Sequence, residues 1–201
     1  MENWLDVGKD PFVAFDEWYQ ENLKSHTFEP TAMTLATVDP DGMPSARVVL
    51  LKKFDRDGFC FFTNYESRKG QELLKNGRAA LVFHWEKPSH RQVRIRGFIE
   101  KMSSEESQEY FSSRARGSQV GAWASPQSQV IKSREELVTL VQDVEKRFAD
   151  KKIPCPSHWG GFRLKPVSIE FWQAQDHRLH DRIYFSFDAT TEKWKGQRLA
   201  P

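Results

Sequence analysis

Residues 45–70 read SARVVLLKKFDRDGFCFFTNYESRKG, from Ser45 to Gly70, and the reading of this stretch decides the fold. Val48 to Leu51 form a β-branched and apolar run too short to be a helix by itself. Asp55-Arg56-Asp57-Gly58 is a turn signal, and Phe59 to Phe62 reads as the strand that returns from it. The stretch therefore predicts a strand, a tight turn, a second strand, and a polar corner that opens a helix. At that corner Thr63, Asn64, Ser67, Arg68 and Lys69 gather hydroxyl, amide and cationic donors just ahead of Leu73 and Leu74. A helix start offers free backbone N–H groups and the positive end of its dipole, so cations beside it suit a phosphate. A capped helix start with a solvated basic pair has the same signature, and the stretch alone leaves both readings open.

Toward the N-terminus, Asp10-Pro11 makes an N-cap and first-turn pair. Phe12, Phe15, Trp18, Tyr19 and Leu23 follow at helical spacing, which predicts an amphipathic helix over residues 10–25. Thr31 to Val38 reads as a strand closed by the turn Asp39-Pro40-Asp41-Gly42, and the strand carrying Arg47 comes next. Toward the C-terminus, the helix over 67–76 stops at Asn76-Gly77. Strands follow at Ala79–Glu86 and from His90 to about Met102, the second with Gln92, Arg94 and Arg96 on one face and Val93 and Ile95 on the other. Ser103 to Glu106 opens a helix carrying Tyr110, Phe111 and Arg114, with a short helix at Ser118–Ala124 beyond it. Ser133 to Asp150 is a long amphipathic helix with Leu137, Leu140, Val141, Val144 and Phe148 on its apolar stripe. After the Pro-rich link at 153–156 come four more strands, Gly161–Leu164, Val167–Gln173, Arg182–Phe187 and Glu192–Leu199. With no internal repeat and no linker-like stretch, strands at both ends and helices between predict a single α+β domain over residues 1–201, with a sheet able to close into a barrel.

Bulk composition narrows the function classes. Thirty Lys and Arg stand against 28 Asp and Glu, a formal charge of +2, which argues against a non-specific nucleic-acid binder. Aromatics make up 13% of the chain, favouring a flat ligand or an aromatic-rich interface, although core filling accounts for most of them singly. Cys60 and Cys155 have no metal or redox spacing, and Cys60 reads as a small buried apolar residue. The six histidines do not cluster at ligand spacing, so no metal site is expected. No signal-peptide pattern and no apolar run of membrane-spanning length is present, so the expectation is a soluble, cytoplasmic protein with no membrane contact.

A second stretch, residues 170–182 (EFWQAQDHRLHDR), concentrates Trp172, Gln173, His177, Arg178, His180 and Arg182. If extended, it would present Arg178, His180 and Arg182 on one face, suited to an anionic, planar, heteroaromatic ligand. A surface strand whose arginines pair with Asp176 and Asp181 is the other reading of the same residues.

The chain resembles the pyridoxine (pyridoxamine) 5′-phosphate oxidase family. The resemblance is carried by Arg47–Lys52, Phe62-Thr63-Asn64, Ser67-Arg68-Lys69, Arg91-Gln92-Val93, Ser118–Trp123, Gln127-Ser128, Trp159-Gly160-Gly161, Glu170–Gln173, Arg178–Arg182 and Arg198–Pro201, in the family's order. It implies an FMN-binding split β-barrel with peripheral helices, completed by C-terminal strands at about 161–201. It also implies a homodimer with two FMN sites at the subunit interface. The implied FMN contacts are Arg47, Val48, Val49, Leu50, Lys52, Phe62, Thr63, Arg68, Lys69, Gln92, Gln127, Ser128, Trp172 and Arg182, with Ser67 added from the phosphate corner. The implied substrate contacts are Lys52, Tyr110, Arg114, Ser118, Arg178 and His180, with Arg178 and His180 acting at the reacting atoms. The implied reaction oxidises pyridoxine or pyridoxamine 5′-phosphate with O2 to pyridoxal 5′-phosphate and hydrogen peroxide, with ammonia from the amine. A split-barrel reductase acting on another substrate, or a non-catalytic binder of pyridoxal phosphate, are the alternatives.

Three features sit awkwardly with that implication. Arg47 and Lys52 have opposite strand parity, so a shared site needs a bulge, a strong twist or contacts from two edges. Ala115 stands where the family usually has proline, which removes a φ restraint beside Arg114. The family's longer N-terminal arm, with an Arg and a Tyr over the substrate, has no counterpart ahead of the first helix, so weaker closure of the site is expected.

Overall fold

The computed structural model describes residues 6–25 and 29–201. Among them, nine strands form one sheet in which every neighbouring pair is antiparallel. The strands are β1 (Ala32–Val38), β2 (Pro44–Leu50), β3 (Lys53–Asp55), β4 (Gly58–Asn64), β5 (Arg78–Trp85), β6 (Arg91–Lys101), β7 (Trp159–Gln173), β8 (Asp181–Asp188) and β9 (Lys193–Leu199). Their order is β2-β1-β5-β6-β7-β4-β3, with β8 and β9 continuing from β7.

The 15-residue β7 is the spine of the sheet. One edge pairs with β6, while the other pairs first with β4 and then with β8. Gly97 lies opposite Pro166 and Arg96 opposite Ser168, which leaves Val167 as an extra residue. Such a bulge bends a strand and increases its twist, and it is a position where proline costs no further ladder bond. A Cβ on Gly97 would fall 2.0 Å from the Lys165 carbonyl oxygen, so the bend needs glycine there. The strands expected separately at Gly161–Leu164 and Val167–Gln173 are thus one bent element, because Pro166 marks a bulge and not a break. The product is a curled antiparallel half-barrel with helices packed on it, a split barrel.

The expected hairpin in residues 45–70 is corrected in its pairing. β2 pairs with β1, Val48 opposite Thr34, and the turn at Asp55–Gly58 joins β3 to β4. The change of partner falls between adjacent residues: Leu51 N–H donates to Thr31 O and Lys52 N–H to Cys60 O, both at 2.9 Å. A β-branched run marks a strand but does not name its neighbour. The same corner resolves the parity conflict of Arg47 and Lys52, since they lie on opposite sides of a change of direction.

Helix α1 (Pro11–Lys24) closes the half-barrel. Asp10 caps it by accepting from Phe12 N (2.9 Å) and Val13 N (3.2 Å), and Pro11 supplies a preset φ at its first position. Its inward stripe drives Phe15 edge-on into Phe59 and Phe83 (centroids 4.9 and 5.1 Å) and packs Trp18 against Phe171 (5.1 Å). Each fully buried phenylalanine contributes roughly 2–3 kcal/mol of transfer free energy, so this aromatic cluster anchors the fold. On the other side, α3 (Ser104–Ser113), α4 (Arg116–Ala124) and α5 (Arg134–Arg147) build a second cluster around Phe111, Val120, Phe148, Ile153 and Trp159. β4 lies between the two clusters and is buried along nearly its whole length, Cys60 included.

α3 ends at Arg114 (φ −72°, ψ 148°), and Ala115 (φ −55°, ψ 141°) starts α4 afresh, so the separate short helix expected at Ser118–Ala124 is present and begins at Arg116. Residues 176–180 are not extended. Asp176–Arg178 makes a short 3-10 turn with His177 and Arg178 at positive φ (57° and 63°), so Arg178 does not share a strand face with Arg182.

Candidate active site

A cavity of about 690 Å³ opens where β2 hands over to β3. Its walls are Val48, Val49, Leu50 and Lys52 from that corner, Phe62, Thr63 and Asn64 from β4, and Lys69 from α2 (Arg68–Asn76). Tyr110, Arg114, Ala115 and Ser118 come from the α3–α4 junction, and Gln127 from the loop beyond α4. The kink at Arg114–Ala115 brings Tyr110, Arg114 and Ser118 to one cavity from two separate helices.

An aromatic stack forms the floor. Tyr110 lies on Phe62 with centroids 4.0 Å apart, and Trp159 stacks on Phe62 at 5.4 Å. The Arg114 guanidinium rests 4.7 Å over the Trp159 ring. Its Nη1 is buried and has no hydrogen-bond partner, and burial pulls its pKa below the ordinary arginine value. Burial likewise pushes the Tyr110 phenol upward, so it stays a protonated donor at neutral pH.

The polar corner at the start of α2 reaches the cavity through Thr63 and Lys69, while Ser67, Arg47 and Arg68 are not among its lining residues. Ser67 is the N-cap, accepting from Gly70 N, and is fully buried. Lys69 Nζ is held by neutral oxygens: Gln127 Oε1 at 3.1 Å, Thr63 Oγ1 at 3.2 Å and Ser67 Oγ at 3.5 Å. Burial, then the nearby Arg47 charge, hold its ammonium below the usual lysine value. Arg47 and Arg68 both donate to the buried carboxylate of Glu72, at 3.2 and 2.9 Å, and Thr37 donates to the same group. Burial raises the Glu72 carboxyl, but the bonds from Thr37, Arg68 and Arg47 outweigh it and leave the group below its ordinary value.

The remaining residues implied by the resemblance lie elsewhere on the chain. Gln92, Trp172 and Arg182 line a separate cavity of about 280 Å³ with Arg94, Glu170 and Pro201, and it shares no residue with the first. Arg182 donates to Glu170 Oε1 from Nε (3.0 Å) and Nη2 (2.8 Å), and from Nη1 to the Ala200 carbonyl at 2.9 Å. Asp181 pairs with Arg198, so the expected pairing of the stretch's arginines with Asp176 and Asp181 is not the arrangement found. His180 sits with its ring centroid 4.6 Å from that of Trp172, and its Nδ1 accepts from Gln175 N at 3.1 Å. Arg178 is exposed, with no ion-pair partner among the described residues. Ser128 is exposed at positive φ (71°) beside Gln127, outside the cavity lining.

Sequence reasoning missed Trp159 as a wall, Glu72 as the shared acceptor and Glu170 as the anchor of Arg182. Glu72 was findable, since it stands four residues after Arg68 on a helix. Trp159 and Glu170 were not, because their contacts cross the sheet. Among the described residues, no helix is long and apolar enough to cross a membrane.

Comparison with known proteins agrees with this geometry. Residues 16–148 match the family model for pyridoxamine 5′-phosphate oxidase, and residues 159–201 that for the pyridoxine 5′-phosphate oxidase C-terminal dimerisation region. A curated relative from Burkholderia mallei (strain SAVP1), named pyridoxine/pyridoxamine 5′-phosphate oxidase, is 55% identical over 197 residues, covering 98% of this chain and 91% of that protein. The crystal structure of PhzG from Burkholderia lata 383 in complex with tetrahydrophenazine-1-carboxylic acid matches with a TM-score of 0.92 at 29% identity, covering 100% of this chain and 97% of that one. A pyridoxamine 5′-phosphate oxidase-related, FMN binding protein from Nostoc punctiforme shares the fold at a TM-score of 0.76 and 16% identity, covering 98% of this chain and all of that one. With the first family model spanning well over half of its length, this chain belongs to the pyridoxamine 5′-phosphate oxidase family.

Proposed function

We propose that the protein is an FMN-dependent oxidase that converts pyridoxine 5′-phosphate or pyridoxamine 5′-phosphate to pyridoxal 5′-phosphate. The observation that carries this reading is a cavity with two half-buried cations, Lys69 and Arg114, neither of which meets a carboxylate among the described residues. Buried cations without counter-charges fit ligands that bring their own, and a phosphorylated flavin with a phosphorylated substrate brings two. The orphaned Arg114 Nη1 and the neutral oxygens around Lys69 are what each phosphate would complete.

In this reading Arg47, Ser67, Arg68 and Lys69 hold the flavin phosphate, while Val48, Val49, Leu50, Phe62, Thr63, Gln127 and Ser128 flank the rest of the cofactor. Lys52, Tyr110, Arg114 and Ser118 grip the substrate phosphate. Because Gln92, Trp172 and Arg182 line a cavity of their own, a homodimer in which the partner's set completes the site accounts for both halves. Arg178 and His180 then orient the pyridine ring. His180 accepts at Nδ1 and so carries its neutral-form proton on Nε2, which leaves Nε2 as the ring's donor. FMN held by these residues would supply a hydride acceptor that O2 can reoxidise, with hydrogen peroxide as the by-product. The residues themselves bind, orient and exclude water, and none needs to be a nucleophile.

The high structural similarity to PhzG favours a second reading, oxidation of a different, carboxylated aromatic substrate. The Tyr110–Arg114–Ser118 corner separates the two, since a phosphate uses all three donors together. The deciding experiment is a visible spectrum of the FMN-loaded protein without oxygen, before and after adding pyridoxine 5′-phosphate and then pyridoxamine 5′-phosphate. Bleaching that air reverses supports the proposal. A flavin that stays oxidised with both substrates overturns it.

A further inference from the structure

We infer that Glu72 is the positioning residue of the flavin-phosphate corner, fixing Arg47 and Arg68 in place before the cofactor arrives. The inference rests on the FMN reading above. Arg47 comes from β2, Arg68 from the first turn of α2 and Thr37 from β1, yet all three donate to this one carboxylate, which is only 4% exposed. Arg47 also donates to the Thr37 hydroxyl, closing a ring of bonds around it. Among the described residues, the only other carboxylate reaching this group is Asp39, 3.8 Å from Arg68 Nη2 and at the edge of ion-pair range. Neither Glu72 nor Arg47 or Arg68 is among the residues that line the cavity, so Glu72 would act through where it holds the two guanidinium groups and not on the ligand itself.

Charge alone and positioning predict opposite signs. A carboxylate near a phosphate repels it, so simple Coulomb reasoning says that neutralising Glu72 tightens FMN. Two guanidinium groups held by one acceptor lose less freedom when a phosphate binds, so positioning says that neutralising Glu72 weakens FMN. Glu72→Gln keeps the shape but offers a single acceptor oxygen. Whichever way the amide turns, one arginine faces an N–H₂ in place of an oxygen and is released.

The test titrates the full-length chain, freed of flavin, with FMN and with riboflavin, which lacks the phosphate. Wild type and Glu72→Gln are compared, with Thr37→Val as a milder variant that removes the hydroxyl bonded to both Glu72 and Arg47 but keeps both arginine–carboxylate bonds. The expected result is about a tenfold loss of FMN affinity in Glu72→Gln, the order of one charge-assisted hydrogen bond, with riboflavin affinity changed by less than about twofold. A smaller loss in the same direction is expected for Thr37→Val. Unchanged or tighter FMN binding overturns the inference, as does an equal loss for both flavins, which marks a merely structural residue. If Glu72→Gln does not fold, Thr37→Val is judged by the same criteria. A wild-type protein that does not distinguish FMN from riboflavin instead removes the phosphate corner, and the inference with it.

Discussion

The two ends of the candidate site are built in different ways. The Tyr110–Arg114 end is packed from inside the chain: its aromatic floor belongs to the second hydrophobic cluster, and its arginine is half-buried on Trp159. The Asp176–His180 segment carries Arg178 and His180 on an exposed turn with two residues at positive φ, held mainly by Gln175 to His180 and Leu179 N to Asp176 O. The first end is rigid before any ligand binds, because moving Arg114 would disturb a packed core. The second has few buried contacts, so its geometry depends on whatever closes over it. A substrate phosphate is therefore expected to find its anchor ready made, while the groups at the reacting end are ordered late.

The sharpest way to break this contrast is Arg114→Ala. It is expected to raise the KM for pyridoxine 5′-phosphate by about 10²-fold, roughly 2.7 kcal/mol, with FMN affinity unchanged. Steady-state kinetics beside a flavin titration measures both, and an unmoved KM would detach Arg114 from the substrate. His180→Ala should lower kcat by ~10- to 50-fold without moving the thermal midpoint, since little packing rests on it. A drop in midpoint of several degrees would mean that the turn is structural after all. Arg182→Trp removes the donor to Glu170 and Ala200 and adds bulk, so FMN affinity should fall about tenfold in a fluorescence titration.

A pH experiment probes the α2 corner. Glu72 has a folded-state pKa below its unfolded value of 4.5, so its stabilising contribution is full above that value and is lost as pH falls through the lower folded one. The urea-unfolding stability gap between wild type and Glu72→Gln should then be flat from pH 7 to about 5.5 and narrow toward pH 3. A gap that widens on acidification would reverse the sign assigned to this group. The smallest effect is expected from Ala115→Pro. Ala115 has φ −55° and Arg114 before it is extended, both compatible with proline. Stability should rise by about 0.4–1 kcal/mol, and a loss would show that the Ala115 N–H has a partner that matters.

Much of this was legible because it is local. Asp10-Pro11, Ser67 and Gly77 fix helix ends through contacts within a few residues, and the helices appear where those signals stand. Strand faces were legible as well, since Val93 and Ile95 alternate with Gln92, Arg94 and Arg96. The failures share a cause. Val48–Leu50 had a strand's composition but no marker of its partner, and Pro166 looked like a break and is a bulge. In the RLHDR stretch, residue chemistry was readable while backbone direction was not, because positive φ at His177 and Arg178 has no glycine to announce it.

By itself, then, the sequence determined the element types, the chemical inventory of the site and the family resemblance, all of which are written in residue identity and short spacing. Only the tertiary structure decided which strands pair, that Lys52 turns a corner toward β4, that Arg114 keeps a buried donor without a partner, and that Glu72 binds two arginines from different elements. Those facts arise where segments far apart in the chain exclude water together, and the sequence alone does not say which segments will meet.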